Sequence, residues 1–233
     1  MTISDYLKRS ALDANGFNLA AIDRARESLQ AVASRPIAEA EVTANALDLF
    51  YSYPVPELSA NGSCSLVHTL ARAPYDLAQA LGGRSARNTE SLVRLHRLIN
   101  QVQAMTGVGW MGIYQARRVA AGQRALVKLA YYGAPSRAEF PLNPDFARLS
   151  NNSTVGLTGR ACIIGDVSLH TCEGNPFYVC DARVQSEACL PILNEFGETL
   201  GIIDAESFEQ NTFGSGMLVP FIAFALEAPA YLP

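Results

Sequence analysis

The chain has 233 residues, of which 49% are hydrophobic and 17% are charged, and its formal net charge is -4. This composition is typical of a packed globular protein and gives no basis for a nucleic-acid partner. No apolar run approaches the roughly 18 residues that a membrane span needs, and the N-terminus lacks the apolar core of a secretory signal, so we expect a cytoplasmic protein with no membrane partner.

Helical periodicity covers most of the first hundred residues. Apolar residues recur at helical spacing over 17–51, where Pro36 marks the predicted start of a second helix. The Pro-, Asn- and Gly-containing stretch at 54–63 is typical of a loop. A further helix is predicted over 64–82, and a long helix with one apolar face over 88–105.

Strand periodicity follows the long helix. Residues 108–117 and 125–133 alternate and are rich in aromatic and branched side chains, which predicts a pair of strands. Residues 190–207 predict a second hairpin with a glycine in its turn. Between the hairpins, the irregular stretch 133–185 is long enough to indicate a segment that covers a ligand pocket. A short apolar helix is predicted over 217–227.

Two strands carry side chains that are unusual for a packed core. Asp204 and Glu206 lie two residues apart in an apolar strand, so both point to one face of the sheet. Burying unpaired charge is costly, which favours a functional role for this pair. Trp110 and Tyr114 also share a strand face and are suited to form an aromatic wall. The five cysteines are an odd number, which favours buried or redox-active thiols over a disulfide framework; they are Cys64, Cys162, Cys172, Cys180 and Cys189.

Four segments in order resemble those of the free methionine-(R)-sulfoxide reductases, whose domain has the GAF fold. They are WMGIY at 110–114, GLTGRA at 156–161, CD at 180–181 followed by QSE at 185–187, and LP at 190–191 followed by GIIDAES at 201–207. The resemblance implies an α+β GAF fold with an antiparallel central sheet flanked by helices. We expect residues 1–87 to form an N-terminal helical extension and residues 88–233 to form the GAF domain.

The resemblance also implies the site. Cys180 falls on the catalytic cysteine, and Glu187 is counted among the catalytic residues as well as the substrate ligands. The other substrate-pocket positions are Trp110, Tyr114, Asp204 and Glu206. Crowded carboxylates cannot all ionise, so at least one should hold a proton while the remaining charge suits the ammonium of a free amino acid. The implied reaction is reduction of free methionine-(R)-sulfoxide to methionine, with thioredoxin or another thiol as external reductant and no bound cofactor.

The chain departs from the family pattern at the thiol that recycles the catalytic cysteine. Thr158 stands at that position, and no cysteine lies near Arg148, where the family has another. Three cysteines are candidates to replace it, with Cys172 preferred and therefore placed in the catalytic set, followed by Cys189 and then Cys162. The spacing of His170, Cys172 and Cys180 matches no usual zinc pattern, so no metal site is predicted.

The lost cysteines leave other functions open. One alternative is a GAF module that binds a small amino-acid-like ligand without reducing it. Another is an enzyme that keeps the pocket and performs altered chemistry on a related amino acid. The N-terminal extension offers a surface for a second copy of the chain, and we expect a homodimer.

Overall fold

The structure is a computed structural model that describes residues 1–13, 16–59, 64, 69–119 and 122–233. Its strands are β1 (Ser52–Tyr53), β2 (Tyr75–Asp76), β3 (Trp110–Arg118), β4 (Arg124–Tyr132), β5 (Glu139–Pro141), β6 (Cys162–Ile164), β7 (Ser186–Leu193) and β8 (Thr199–Ser207). Its α-helices are α1 (Ile3–Arg9), α2 (Leu19–Ala33), α3 (Ala44–Tyr51), α4 (Leu77–Ala80), α5 (Ala86–Thr106), α6 (Pro144–Ala147), α7 (Asn151–Thr158), α8 (Val167–Cys172) and α9 (Ser215–Glu227). Strands β1 and β2 form a small separate pair, and the other six form one antiparallel sheet in the order β5-β4-β3-β8-β7-β6. The α+β class and the antiparallel central sheet are therefore confirmed.

Both predicted hairpins are present. Strands β3 and β4 pair antiparallel, as do β7 and β8. In the β7–β8 turn, Gly197 has a φ of +89°, which a side chain would disfavour. The Asn194 Oδ1 accepts hydrogen bonds from the backbone N–H groups of Phe196 and Glu198, which fixes the turn.

The sheet has a core on each face. On one face, α5 and α9 pack against apolar side chains of the sheet, and α2 packs against both helices, which together form the main hydrophobic core. Helix α5 begins where the Ser85 side chain accepts a hydrogen bond from Asn88 N, and it ends at Gly107 with a φ of +67°. On the opposite face, α7 covers a smaller cluster that includes Trp110 and Tyr114. The candidate site lies on this second face.

Two helix predictions in the N-terminal region need correction. The second helix begins at Ala44 and not at Pro36, because the Arg97 guanidinium binds the carbonyls of residues 35 and 36 and also the Glu41 carboxylate. These contacts hold the preceding segment out of the helix. Within 64–82, only Leu77–Ala80 is helical among the described residues, since Tyr75–Asp76 pairs as a strand with Ser52–Tyr53. Residues 65–68 of that prediction, including His68, lie outside the described residues.

The stretch between the hairpins is more ordered than predicted. It contains β5, β6 and the short helices α6, α7 and α8. The predicted helices over 88–105 and 217–227 are confirmed, with bounds extended to Ala86–Thr106 and Ser215–Glu227. The division into 1–87 and 88–233 stays a prediction, and side chains from both parts contribute to the main core. Among the described residues, no helix combines the length and apolarity needed to cross a membrane.

Candidate functional site

A small cavity opens between the edge of the second core and the loops that precede β7. Its volume is about 130 Å³, below the roughly 300–1,000 Å³ usual for drug-sized ligands, which limits it to a small molecule. The lining residues are Gly109, Trp110, Ala134, Pro135, Ser136, Cys180, Asp181, Arg183, Glu206 and Phe208. Apolar rings, charges of both signs and a cysteine therefore share one wall.

The sheet register places the three predicted carboxyls together beside this cavity. Glu206 lies opposite Trp110 on β3 and opposite Glu187 on β7. Glu187 and Asp204 are each only 2% exposed. Helix α7 supplies both with amide donors: Asn151 Nδ2 binds Glu187 Oε1, and Asn152 Nδ2 lies 2.8 Å from Asp204 Oδ2. The inner two carboxyls are thus held in fixed positions by one helix N-terminus.

Burial controls the protonation of these carboxyls. It raises the pKa of Glu187 and of Glu206 well above the ordinary range, and the neighbouring charge of Asp204 raises both further. Burial also raises the pKa of Asp204 from 3.8 to about 6, while hydrogen bonds from Glu187 and Asn152 oppose that rise. Asp204 Oδ1 is buried and receives no hydrogen bond from the described residues, so a proton held on Glu187 would supply a donor for it. Burial and mutual repulsion therefore favour the protonated forms of these carboxyls.

A buried lysine faces the same cluster. Lys128 on β4 is fully buried, and its Nζ donates to the carbonyl and hydroxyl oxygens of Ser136 at 2.7 and 2.8 Å. Its ammonium also lies 4.3 Å from the Tyr131 ring centroid. Burial lowers the pKa of Lys128, whereas the charges of Glu206 and Asp204 raise it.

Cys180 is joined by a disulfide to Cys64, 116 residues earlier in the chain, with a Cα–Cα distance of 5.2 Å. Cys64 belongs to a segment that we call the N-terminal arm, which comprises residues 52–59, 64 and 69–76. Next to Cys180, the Asp181 carboxylate accepts a 2.6 Å hydrogen bond from Arg183, and the Arg183 guanidinium lies 4.6 Å from the Phe208 ring centroid. The disulfide therefore closes the arm against the charged rim of the cavity.

The structure gives Cys180 a different partner from the three cysteines considered in the sequence. Cys172 is exposed and free at the end of α8, so it is not brought to Cys180 as we expected. Cys162 and Cys189 are also free and lie opposite each other on β6 and β7, where burial raises the pKa of both thiols. Cys64, the observed partner of Cys180, was not among the candidates that the sequence suggested.

The predicted site residues divide into two layers. Three of them line the cavity, namely Trp110, Cys180 and Glu206. The part of the cavity wall that the structure describes does not include the other three, which are Tyr114, Glu187 and Asp204. The second layer lies directly behind the first: Gly112 leaves space between the Trp110 and Tyr114 rings, since an added Cβ would meet Trp110 Cη2 at 2.9 Å. Among the described residues, no group of three or more His, Cys, Asp or Glu side chains is arranged to hold a metal ion.

Sequence reasoning missed several contributors. Lys128 could have been predicted as a site residue, because it is a lone charged residue in the apolar strand of residues 125–132. Asp204 and Glu206 are likewise charged residues in an apolar strand. Asn151 and Asn152 gave no distinct signal, since two asparagines after a serine are typical of an ordinary helix start. Nothing in the sequence around Cys64 indicated a role for it, apart from the odd number of cysteines in the chain.

Comparison with known proteins adds to the geometry. No family model and no curated protein matches the chain. A solved GAF-domain structure aligns with 98% of this chain and 96% of its own length, at 12% identity and a TM-score of 0.56. The type II free methionine-R-sulfoxide reductase of Thermoplasma acidophilum aligns with 63% of this chain and 94% of its own, at 16% identity and a TM-score of 0.53.

The chain has the GAF fold. The resemblance to GAF domains, with free methionine-R-sulfoxide reductases among them, is supported at the level of the fold. In this GAF fold, the cavity lies at the end of β3 where that strand pairs with β8, and the loop that carries Cys180 closes one side of it.

Proposed function

We propose that the protein reduces free methionine-(R)-sulfoxide to methionine, with Cys180 as the attacking thiol. The observation that carries this proposal is that Cys180 and Glu206 line the same small cavity, together with Trp110. Reduction of a sulfoxide needs a thiolate aimed at sulfur and an acid aimed at oxygen. The cavity offers both, and the reductase of similar fold supports the same chemistry.

The charges of the rim suit a free amino acid. The Asp181 carboxylate can bind an ammonium group, and the Arg183 guanidinium can bind a carboxylate. The Trp110 ring offers an apolar face for the S-methyl group. A residue inside a polypeptide has neither terminal charge, so this arrangement favours the free amino acid over an oxidised protein side chain.

In the reaction, the Cys180 thiolate attacks the sulfoxide sulfur while the oxygen takes up a proton. We assign this proton to Glu206, since burial raises the pKa of its carboxyl and favours the protonated form. The adduct of the two sulfurs then collapses: the hydroxyl passes from the substrate sulfur to the Cys180 sulfur, so that a new S–O bond forms on Cys180 as the substrate S–O bond and the transient S–S bond break. Methionine leaves, and Cys180 is left as a sulfenic acid. Glu187 and Asp204 position the site from behind and hold the neighbouring proton. An external thiol such as thioredoxin returns Cys180 to the reduced state.

A single-turnover experiment tests the proposal. Fully reduced protein, freed of reductant, is mixed with each methionine sulfoxide epimer, and methionine is measured by chromatography. We expect up to one methionine per chain from the R epimer and none from Cys180→Ser. Calorimetric binding of the sulfoxide to Cys180→Ser serves as the control that its pocket is intact. Methionine release by this variant would contradict the mechanism.

The second candidate is a GAF module that binds an amino-acid-like ligand without reducing it. The observation that favours it is Thr158, which replaces the usual recycling thiol; it is exposed, and its hydroxyl binds the Thr154 carbonyl of its own helix at 2.8 Å. This candidate predicts saturable binding by the reduced wild-type protein with no methionine released from either epimer. The same experiment therefore separates the two functions.

A further inference from the structure

The N-terminal arm is built to hold one cysteine at the mouth of the cavity. Its two sides run antiparallel, with backbone hydrogen bonds from Glu57 N to Thr69 O at 2.8 Å and from Ala71 N to Val55 O at 2.9 Å. An antiparallel bridge then pairs Leu58 with Cys64. The arm thus holds Cys64 in a backbone bridge with Leu58, and its sulfur there meets that of Cys180.

The base of the arm is fixed to the sheet independently of the disulfide. The Tyr53 hydroxyl donates to the Lys128 carbonyl at 2.7 Å, and the Tyr75 hydroxyl donates to the Glu139 carboxylate. The Tyr53 and Tyr75 rings lie with centroids 5.4 Å apart. These contacts do not involve sulfur, so they can keep Cys64 near Cys180 when both thiols are reduced.

The two cysteines differ in accessibility. Cys64 is only 6% exposed, whereas Cys180 is partly exposed and also borders a second depression of about 420 Å³. Pro56 and Leu70 of the arm form part of that depression. A protein dithiol can therefore approach the sulfur of Cys180 along the side of the arm, and Cys64 becomes the leaving thiol.

We propose that Cys64 is the resolving cysteine of the reaction. The N-terminal arm supplies it in place of the recycling cysteine that the family has at the position of Thr158. This inference rests on the proposed function. The thiol of Cys64 attacks the sulfenic sulfur of Cys180, the S–O bond breaks, and the disulfide forms with release of water. A dithiol of the thioredoxin class then attacks Cys180, and its second thiol completes the exchange, which leaves two protein thiols and an oxidised reductant.

The free cysteines provide the competing assignments. Cys172 lies on an exposed helix end and is a free thiol among the described residues. Cys189 is fully buried under Asp204, and Cys162 faces it across the strands. An external thiol acting directly on the sulfenic acid is the remaining competitor. Each of them predicts a different product in the absence of reductant.

The test compares wild type, Cys64→Ser and Cys172→Ser in a single turnover with methionine-(R)-sulfoxide. The reaction is run without reductant and with dimedone to trap sulfenic acid; methionine, remaining thiols and peptide cross-links are measured. We expect methionine from all three proteins. Wild type and Cys172→Ser should lose two thiols and gain the Cys64–Cys180 cross-link, whereas Cys64→Ser should lose one thiol and carry dimedone on Cys180.

Steady-state rates give a second readout. With thioredoxin and its reductase, Cys64→Ser should turn over more slowly by about tenfold or more, because its sulfenic acid has no neighbouring thiol to condense with. With excess dithiothreitol, the variant should approach the wild-type rate, which shows that it is folded.

The outcomes separate this proposal from the function it rests on. Methionine release together with a Cys172–Cys180 cross-link, or with dimedone on wild-type Cys180 and no cross-link, overturns the role of Cys64 alone. No methionine from any of the three proteins overturns both the proposed function and the resolving role. If the disulfide has a purely structural role, the amount of Cys64–Cys180 cross-link formed should not depend on the amount of methionine released.

Discussion

The buried carboxyl of Asp204 should make the stability of the protein fall as the pH rises. Burial raises its pKa from 3.8 to about 6. Between these values the unfolded chain has lost the proton that the folded chain still holds, so each step to higher pH favours unfolding. The rise is about two pKa units at about 1.36 kcal/mol each, or about 3 kcal/mol in all. This stabilisation is fully present below pH 3.8 and is lost by the time the pH has passed 6.

The variant Asp204→Asn removes this titration and keeps an oxygen that can accept from Asn152. Urea unfolding is measured from pH 4 to pH 7 for parent and variant, both with Cys64→Ser and Cys180→Ser so that the thiol state does not change. Part of the effect lies below pH 4, so over this range the parent should lose about 2 kcal/mol more of its unfolding free energy than the variant. Burial lowers the pKa of His96 to about 4, an effect of opposite sign that is common to both chains and cancels. Parallel curves would refute the reasoning.

A carboxyl with the opposite shift provides the control. Hydrogen bonds from Arg97 and from Ala38 N lower the pKa of Glu41 from 4.5 to about 2. The stabilisation from Glu41 is complete above pH 4.5 and is lost only as the pH falls towards 2. Glu41→Gln should therefore run parallel to the parent from pH 5 to pH 7 and differ from it by a constant amount.

Two substitutions test the cavity wall. Gly112→Ala should displace the Trp110 ring, because an atom of that ring would lie 2.9 Å from the new Cβ. We expect a loss of about 1–3 kcal/mol of stability and a higher KM. Gly214→Ala, whose new Cβ would have no atom within 4 Å, is the matched control, and equal melting temperatures for the two variants would contradict the packing argument. Lys128→Met should raise the pKa of Glu206, because the charge of Lys128 lowers it. The alkaline limb of the pH–rate profile for methionine release should therefore move to higher pH. If this limb does not move, Glu206 is not the acid.

The strand pattern carried enough information to predict the sheet and its acidic residues. In β8, alternation places Asp204 and Glu206 on one face whatever the partner strand is, and the fold then sets them opposite β7 and β3. The depth of each carboxyl was not predictable in this way. Helix α7 decides it, because Asn151 and Asn152 bind the inner two carboxyls and leave Glu206 at the cavity.

The N-terminal arm was not predictable from local sequence. The stretch after residue 64 has helical periodicity, but the Tyr53 and Tyr75 hydroxyls find their partners on β4 and β5, and these tertiary contacts override the local preference. The pairing of Cys64 with Cys180 spans 116 residues, and sequence gives no geometric limit on which cysteines meet over such a distance. The sequence therefore could not show that Cys64, and not Cys172, is the disulfide partner of Cys180.

A resolving thiol on the arm is useful only if the arm stays docked after the disulfide is reduced. The Tyr53 hydroxyl bond to the Lys128 carbonyl is a noncovalent contact that can do this, and Tyr53→Phe removes it while keeping the ring beside the Lys128 ammonium, whose nitrogen lies 5.1 Å from the ring centroid. Loss of one buried hydrogen bond costs about 1–3 kcal/mol, which should lower the docked fraction of the reduced arm.

We therefore expect Tyr53→Phe to release the first methionine at the wild-type rate, because Cys180 and the cavity wall are unchanged. When dimedone competes with Cys64 for the sulfenic acid, a larger share of Cys180 should carry dimedone than in wild type. Tyr132→Phe, which changes an exposed ring at the end of β4, serves as the matched control. If the share trapped by dimedone is the same in all three proteins, the arm is held by other contacts and the bond to Lys128 has no part in presenting Cys64.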